Sequence, residues 1–165
     1  MRGMKMEESG MQCAIYALSE MKKKLLLKKK NLLVLCRYEG KIILQWDEAR
    51  AMWTLPGGQR GKVETQDAAA RRIAAEALGE SALDVQLLCG FGVPGEDGKE
   101  LCGFAYVADV TSWQGEWSGK TRAFESLPVD TQLADAQLVH SLRKWAGDFF
   151  DARLDLERLG DVESR

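Results

Sequence analysis

No two cysteines in this 165-residue chain lie close enough in sequence to open a metal site. Cys13, Cys36, Cys89 and Cys102 lack the short paired spacings of zinc ligands, and two of them sit in apolar strand-like segments, so they read as buried free thiols. Long apolar runs are missing too. Leu32 to Cys36 falls far short of the roughly 20 residues a membrane-spanning helix needs. The segment from Met21 begins like a secretory signal, but Lys28 to Lys30 break the apolar region before it reaches about 7 residues. These absences exclude a zinc-ribbon domain and a helical membrane protein, and the chain reads as cytoplasmic. The single histidine, His140, lies beside an apolar helical stripe and reads as structural. There is no internal repeat.

What is present fits one domain. A hydrophobic fraction of 45% and a charged fraction of 29% suit a single packed core in a chain of this length. The net charge of −2 hides an asymmetry: residues 1 to 72 carry 15 Lys/Arg against 8 Asp/Glu, and the remainder carry 8 against 17. The basic half includes a glycine loop, Trp53-Thr-Leu-Pro-Gly-Gly58, where proline and paired glycines bring backbone close to a neighbour or a ligand.

Residues 1 to 11 have no periodicity and read as a frayed terminus with no assigned function. From Gln12 to about Lys24 a short helix and an added strand fit equally well. The lysine block from Lys22 to Lys30 reads as a solvated surface. Leu32–Tyr38 and Lys41–Trp46 are β-favouring runs around Glu39-Gly40, the pattern of a hairpin. Asp84–Val93 and Leu101–Val110 form a second hairpin around Asp97-Gly98, and Arg122–Leu127 is a candidate short strand. Pro128 and Asp130 announce a final helix in which Leu138, Leu142, Trp145 and Phe149 make a core-facing stripe.

Between the hairpins, Thr65 or Asp67 caps a helix that Gly79 ends. At about 100° per residue, Ala69, Arg72, Ile73 and Glu76 share one face, while Ala70, Ala74, Ala77 and Leu78 form an adjoining apolar arc. Taken alone, Arg72 and Glu76 are an ordinary i,i+4 surface pair. A glycine loop ahead of a helix N-terminus also suits an anionic ligand.

The register of these residues resembles the Nudix hydrolases, the MutT-like family whose box runs Gly, five residues, Glu, seven residues, then Arg-Glu-apolar-x-Glu-Glu-x-Gly-apolar. Trp53, Leu55, Pro56, Gly57 and Gly58 match the sequence that introduces the box, and Glu64, Arg72, Glu76 and Gly79 match the box itself at the right spacings. The resemblance covers roughly residues 31 to 150. It implies a Nudix-type α/β/α sandwich with a mixed sheet, preceded by an extension at 1–30 and followed by a helical extension or tail at 151–165. It further implies a phosphoanhydride hydrolase acting on a nucleotide or a nucleoside-diphosphate-linked small molecule with Mg2+ or Mn2+. Glu76 and Glu64 would serve the metal and Arg72 would orient the helix carboxylates. Gly57 and Gly58 would approach phosphate, Arg60 and Lys62 would meet it, and Trp53 would stack a base; Phe91, Phe104, Tyr106 and Lys41 are further candidates.

Two departures bear on chemistry: Ile73 and Ala77 stand where the family has glutamates. Val63 replaces a frequent glycine, and Glu80 an apolar residue. Glu96, Asp97, Glu100 and Glu116 are candidate replacement carboxylates. The alternative to a slow hydrolase is a non-catalytic module of the same fold that binds a nucleotide or a protein. The composition does not favour nucleic acid, gives no membrane partner and leaves a homodimer open.

Overall fold

The structure, a computed structural model, describes residues 4–8, 11–17, 31–79, 84–94, 98–110 and 120–147. The lysine block at 22–30, Glu80, Glu96, Asp97, Glu116, Phe149 and the 151–165 extension lie outside these residues. The strands are β1 (Met4–Glu8), β2 (Met11–Tyr16), β3 (Asn31–Tyr38), β4 (Lys41–Asp47), β5 (Met52–Thr54), β6 (Gly57–Gln59), β7 (Val85–Pro94), β8 (Glu100–Val110) and β9 (Thr121–Phe124). Helix α1 spans Gln66–Leu78, and α2 covers residues 136–147.

The strands join one mixed sheet in the order β1-β2-β7-β8-β3-β4-β5, with β6 also on β3 and β9 also on β4. The β3–β8 pair is parallel over eight positions, from Asn31↔Gly103 to Tyr38↔Val110. The two hairpins read from sequence are β3–β4 and β7–β8. In the first, Glu39 and Gly40 have φ of 49° and 77°, the double left-handed turn that matches strand twist. Within the stretch 1–11, for which a frayed terminus is one expectation, Met4–Glu8 forms a strand, β1, antiparallel to β2. The open choice at Gln12 falls to a strand, because Ala14, Ile15 and Tyr16 pair with β7 and are buried there.

Strand alternation sorts the core into two layers. Cys102, Phe104, Tyr106 and Ala108 of β8 pack with Ala69, Ala70, Ile73, Ala74 and Leu78 of α1. Ala105 and Val107, pointing the other way, pack with Leu138, Val139, Leu142 and Ala146 of α2. This is the expected α/β/α sandwich. The stripe of Leu138, Leu142 and Trp145 is core packing, as its spacing predicts. One expectation is corrected: Ala69 and Ile73 do not share an outward stripe with Arg72 but belong to the buried face, at 0% and 4% exposure. The reason is the sheet beneath α1, which covers a wider apolar arc than the helix's own spacing required.

Candidate functional site

The site is built where β6 runs into α1. Thr65 is the helix N-cap, its side chain accepting from the Ala68 amide, and Gly79 closes the helix in the left-handed region. These caps fix where α1 begins and ends, and so where Arg72 and Glu76 stand on it. Just before them, β6 pairs Gly57, Gly58 and Gln59 with Leu33, Leu32 and Asn31 of β3. A side chain on Gly57 would come within 2.8 Å of Leu33 Cδ2, whereas one on Gly58 would meet Ile73 at 3.5 Å. The two glycines therefore face opposite sides of the sheet.

Arg72 is the clasp between loop and helix. Its Nε and Nη2 donate to Glu64 Oε2 and Oε1 at 2.8 and 2.9 Å, a two-pronged guanidinium–carboxylate pair. Nη2 also donates to the Gln59 carbonyl at 2.9 Å, and Nη1 reaches Glu76 Oε1 at 3.4 Å. Glu64 Oε1 additionally accepts from the Gly61 amide at 2.8 Å. The Arg72 hydrogen bonds, and after them the Gly61 amide, hold the Glu64 carboxyl down to about 2. The same partnership pushes the Arg72 guanidinium up, so it keeps its proton at all relevant pH.

The geometry separates residues the sequence grouped together. Glu64 has both oxygens engaged by donors and serves to hold Arg72. Glu76 is the outward carboxylate, its side chain 66% exposed. Ile73 and Ala77 are buried, at 4% and 7% exposure. Among the described residues no three His, Cys, Asp or Glu side chains converge to hold a cation. Glu76 is the carboxylate of this cluster that faces outward, and one or two carboxylates suffice for magnesium when phosphates and water complete its shell.

On the opposite face of the sheet lies a groove of about 350 Å³. Its walls are apolar at Leu33, Leu55, Phe91 and Leu138, polar at Asn31, Gln45 and Gln59 and charged at Asp47, Arg50 and Asp135, and Gly57 and Gly58 form part of its lining. That size and mixture suit one planar, partly polar small molecule. The sequence did not single out Asn31 or Gln45; only the pairing of β6 on β3 and β4 beside it brings them together. Asn31 is tied in, donating to the Cys102 carbonyl and accepting from Gln59 Nε2.

Other candidates fall elsewhere. Trp53 makes edge-to-face contacts with Trp46 and Phe124 at 5.3 and 4.9 Å, and its carbonyl accepts from the Ala134 amide. That packing places it behind the groove. Phe104 and Tyr106 are core residues on the α1 face, and Tyr106 donates to Asp67 Oδ1 at 2.6 Å. Phe91 alone of the strand aromatics lines the groove. Lys62 is exposed and Arg60 half-buried. Of the replacement carboxylates only Glu100 is described; it is exposed and accepts from the Tyr16 hydroxyl at 2.7 Å and the Cys102 thiol at 3.0 Å. His140 bonds Asp130 Oδ1 at 3.0 Å, tying α2 to the turn before it, in keeping with a structural role.

No family model and no curated protein matches this chain. Solved structures do. The Bacillus subtilis pyrophosphohydrolase BsRppH, as its E68A mutant, is 22% identical with a TM-score of 0.66, over 88% of this chain and 97% of that one. The C. elegans Ap4A hydrolase is 18% identical with a TM-score of 0.58, over 74% and 98%. A mutT/nudix family protein from Listeria innocua is 18% identical with a TM-score of 0.53, over 77% and 95%. With the mixed sheet, the two helix layers and the glycine loop closed onto α1 by Arg72, the conclusion is direct: this chain has the Nudix hydrolase fold.

Proposed function

We propose that this chain binds a nucleoside phosphate across the glycine loop and cleaves its phosphoanhydride slowly. The observation that carries the reading is the Arg72 clasp, which ties Glu64 and Glu76 to the carbonyl of Gln59, a residue that also lines the groove on the sheet's other face. The groove takes the base and sugar, with Asn31, Gln45 and Gln59 supplying polar contacts and Phe91 an apolar surface. Gly57 and Gly58 let the backbone run close to the phosphates, and Lys62 meets them from solvent. Glu76 would join a divalent cation arriving on those phosphates, which would neutralise charge developing during cleavage. Arg72 keeps Glu76 oriented, and Glu64 keeps Arg72 oriented.

A second reading, a non-catalytic nucleotide-binding module, is favoured by the burial of Ile73 and Ala77. Neither side chain can ligate a metal or take a proton. Because metal charge stabilisation is worth several kcal/mol and each 1.4 kcal/mol is tenfold in rate, their loss accounts for slow turnover on the first reading and for none on the second. The experiment is a panel of nucleoside triphosphates, sugar nucleotides and dinucleoside polyphosphates incubated with the protein and Mg2+ or Mn2+. Product that disappears in Glu76→Gln supports the hydrolase; no product above blank from any member refutes it and leaves the binding module.

A further inference from the structure

The groove carries a charged end. Asp47 and Arg50, at the turn between β4 and β5, and Asp135, just before α2, line it there, across the sheet order from the apolar end at Phe91, Val93 and Leu101 of β7 and β8. Asp47 is occupied in shaping its own turn. Its Oδ1 accepts from the Ala49 and Arg50 amides at 3.0 and 3.3 Å, and its Oδ2 accepts from Arg50 Nε at 2.9 Å. The guanidinium is thus anchored by one nitrogen, while Nη1 and Nη2 make no hydrogen bond among the described residues. Nη1 stands 3.9 Å from Asp135 Oδ2, too far for a hydrogen bond, and the Asp135 carboxylate accepts none from the described residues either. Two N–H-bearing nitrogens and a carboxylate therefore lie side by side on the groove wall, each with hydrogen-bonding capacity to spare.

We infer that Arg50 and Asp135 read the base of the bound nucleotide and select guanine. The inference rests on the nucleotide reading above and deepens it, since it names the class of ligand as a guanine nucleotide. Guanine sets two neighbouring acceptors, N7 and O6, beside two neighbouring donors, the N1–H and the N2 amino group. The first pair suits the two terminal nitrogens of an arginine and the second suits a carboxylate. Adenine, cytosine and uracil have no two neighbouring ring positions that both donate, so each leaves the Asp135 carboxylate or the Arg50 fork short of a partner. A site whose polar groups stay unpaired rejects the wrong ligand.

The test is calorimetric titration of the full chain with GDP, IDP, ADP, CDP and UDP in Mg2+, for wild type, Arg50→Gln and Asp135→Asn. A good bidentate contact to a base discriminates by roughly fivefold to 150-fold, so wild type should bind GDP at least about fivefold more tightly than ADP, CDP or UDP. IDP, which lacks the N2 amino group, should fall between GDP and ADP. Arg50→Gln should bring GDP within about threefold of ADP and leave ADP binding as in wild type. Asp135→Asn should bring GDP and IDP together while both remain tighter than ADP, and it serves as the independent variant if Arg50→Gln folds poorly. Equal affinity for all five ligands, preference for a base other than guanine, or a guanine preference unchanged in both variants overturns the inference and leaves the nucleotide reading standing. Wild type that binds none of the five overturns both.

Discussion

Gly103→Ala tests whether the strand packing that shapes the groove is as tight as the structure has it. Gly103 sits in the middle of β8, paired with Asn31 on one side and Phe91 on the other. A methyl there would lie 2.4 Å from the Asn31 carbonyl oxygen and 2.7 Å from Phe91 Cζ. Ordinary carbon contacts are about 3.5–4.0 Å, so roughly 1 Å must be found. The Phe91 ring could tilt, but the Asn31 oxygen is backbone and can retreat only by moving β3. Overpacking of this kind costs about 1–3 kcal/mol. Disturbing the Asn31-to-Cys102 hydrogen bond adds about 1 kcal/mol. The expected destabilisation is therefore about 2–4 kcal/mol, or a fall in melting temperature of roughly 5–15 °C for a chain of this size. Urea denaturation followed by far-UV circular dichroism measures it, with an unchanged m-value showing that the unfolded state is the same. Gly58→Ala is the control, since its methyl would meet only Ile73 carbons at 3.5 Å and should change stability by less than about 0.5 kcal/mol. If Gly103→Ala costs under about 1 kcal/mol, or Gly58→Ala costs as much as Gly103→Ala, the packing argument is wrong.

Three further outcomes are expected. Thr65→Ala should lower stability by about 1 kcal/mol through loss of the N-cap bond to the Ala68 amide, read in the same denaturation experiment; Thr65→Ser should restore it. Glu64, held down to about 2 by Arg72 and the Gly61 amide, makes a contribution that is full above the ordinary glutamate range near 4.5 and is lost as pH falls toward 2; Glu64→Gln should flatten the stability profile across that window, and an unchanged slope would refute the pairing. Cys36 and Cys89, whose thiols burial pushes up to about 12, should not react with a thiol reagent at pH 8 until the protein is unfolded; rapid native labelling, located by mass spectrometry, would contradict their burial.

Local rules made much of the fold legible. The Glu39-Gly40 turn, the Thr65 and Gly79 caps and the strand runs on either side of Gly98 each carry their instruction within a few residues, and all appear where their chemistry puts them. What escaped depends on contacts distant in sequence. Met4–Glu8 has no period of its own because it is a strand by pairing with β2, which in turn pairs with β7 some 75 residues along. Asn31 looks like any polar residue before an apolar run until β6 and β8 close on it. The spacing of the helix could place Ile73 beside Arg72, but only the sheet beneath decides which of the two is covered.

The glycine loop explains why the two halves of the site can diverge. Gly57 and Gln59 address one face of the sheet; Gly58 and the helix face bearing Arg72 and Glu76 belong to the other. On the reading proposed above, a base in the groove and phosphates beside α1 would be contacted by different residues, though both would rest on the same three-residue strand. Ile73 and Ala77, which stand at the two departures from the box, lie on the α1 side, where Ile73 joins the core beneath Gly58. On the same reading, changes on one face can leave the other intact, and the Arg72 clasp, anchored on the Gln59 carbonyl, ties α1 to β6. Breaking it with Arg72→Ala should loosen both at once, whereas changes at Glu76 or at Asn31 should each affect only one.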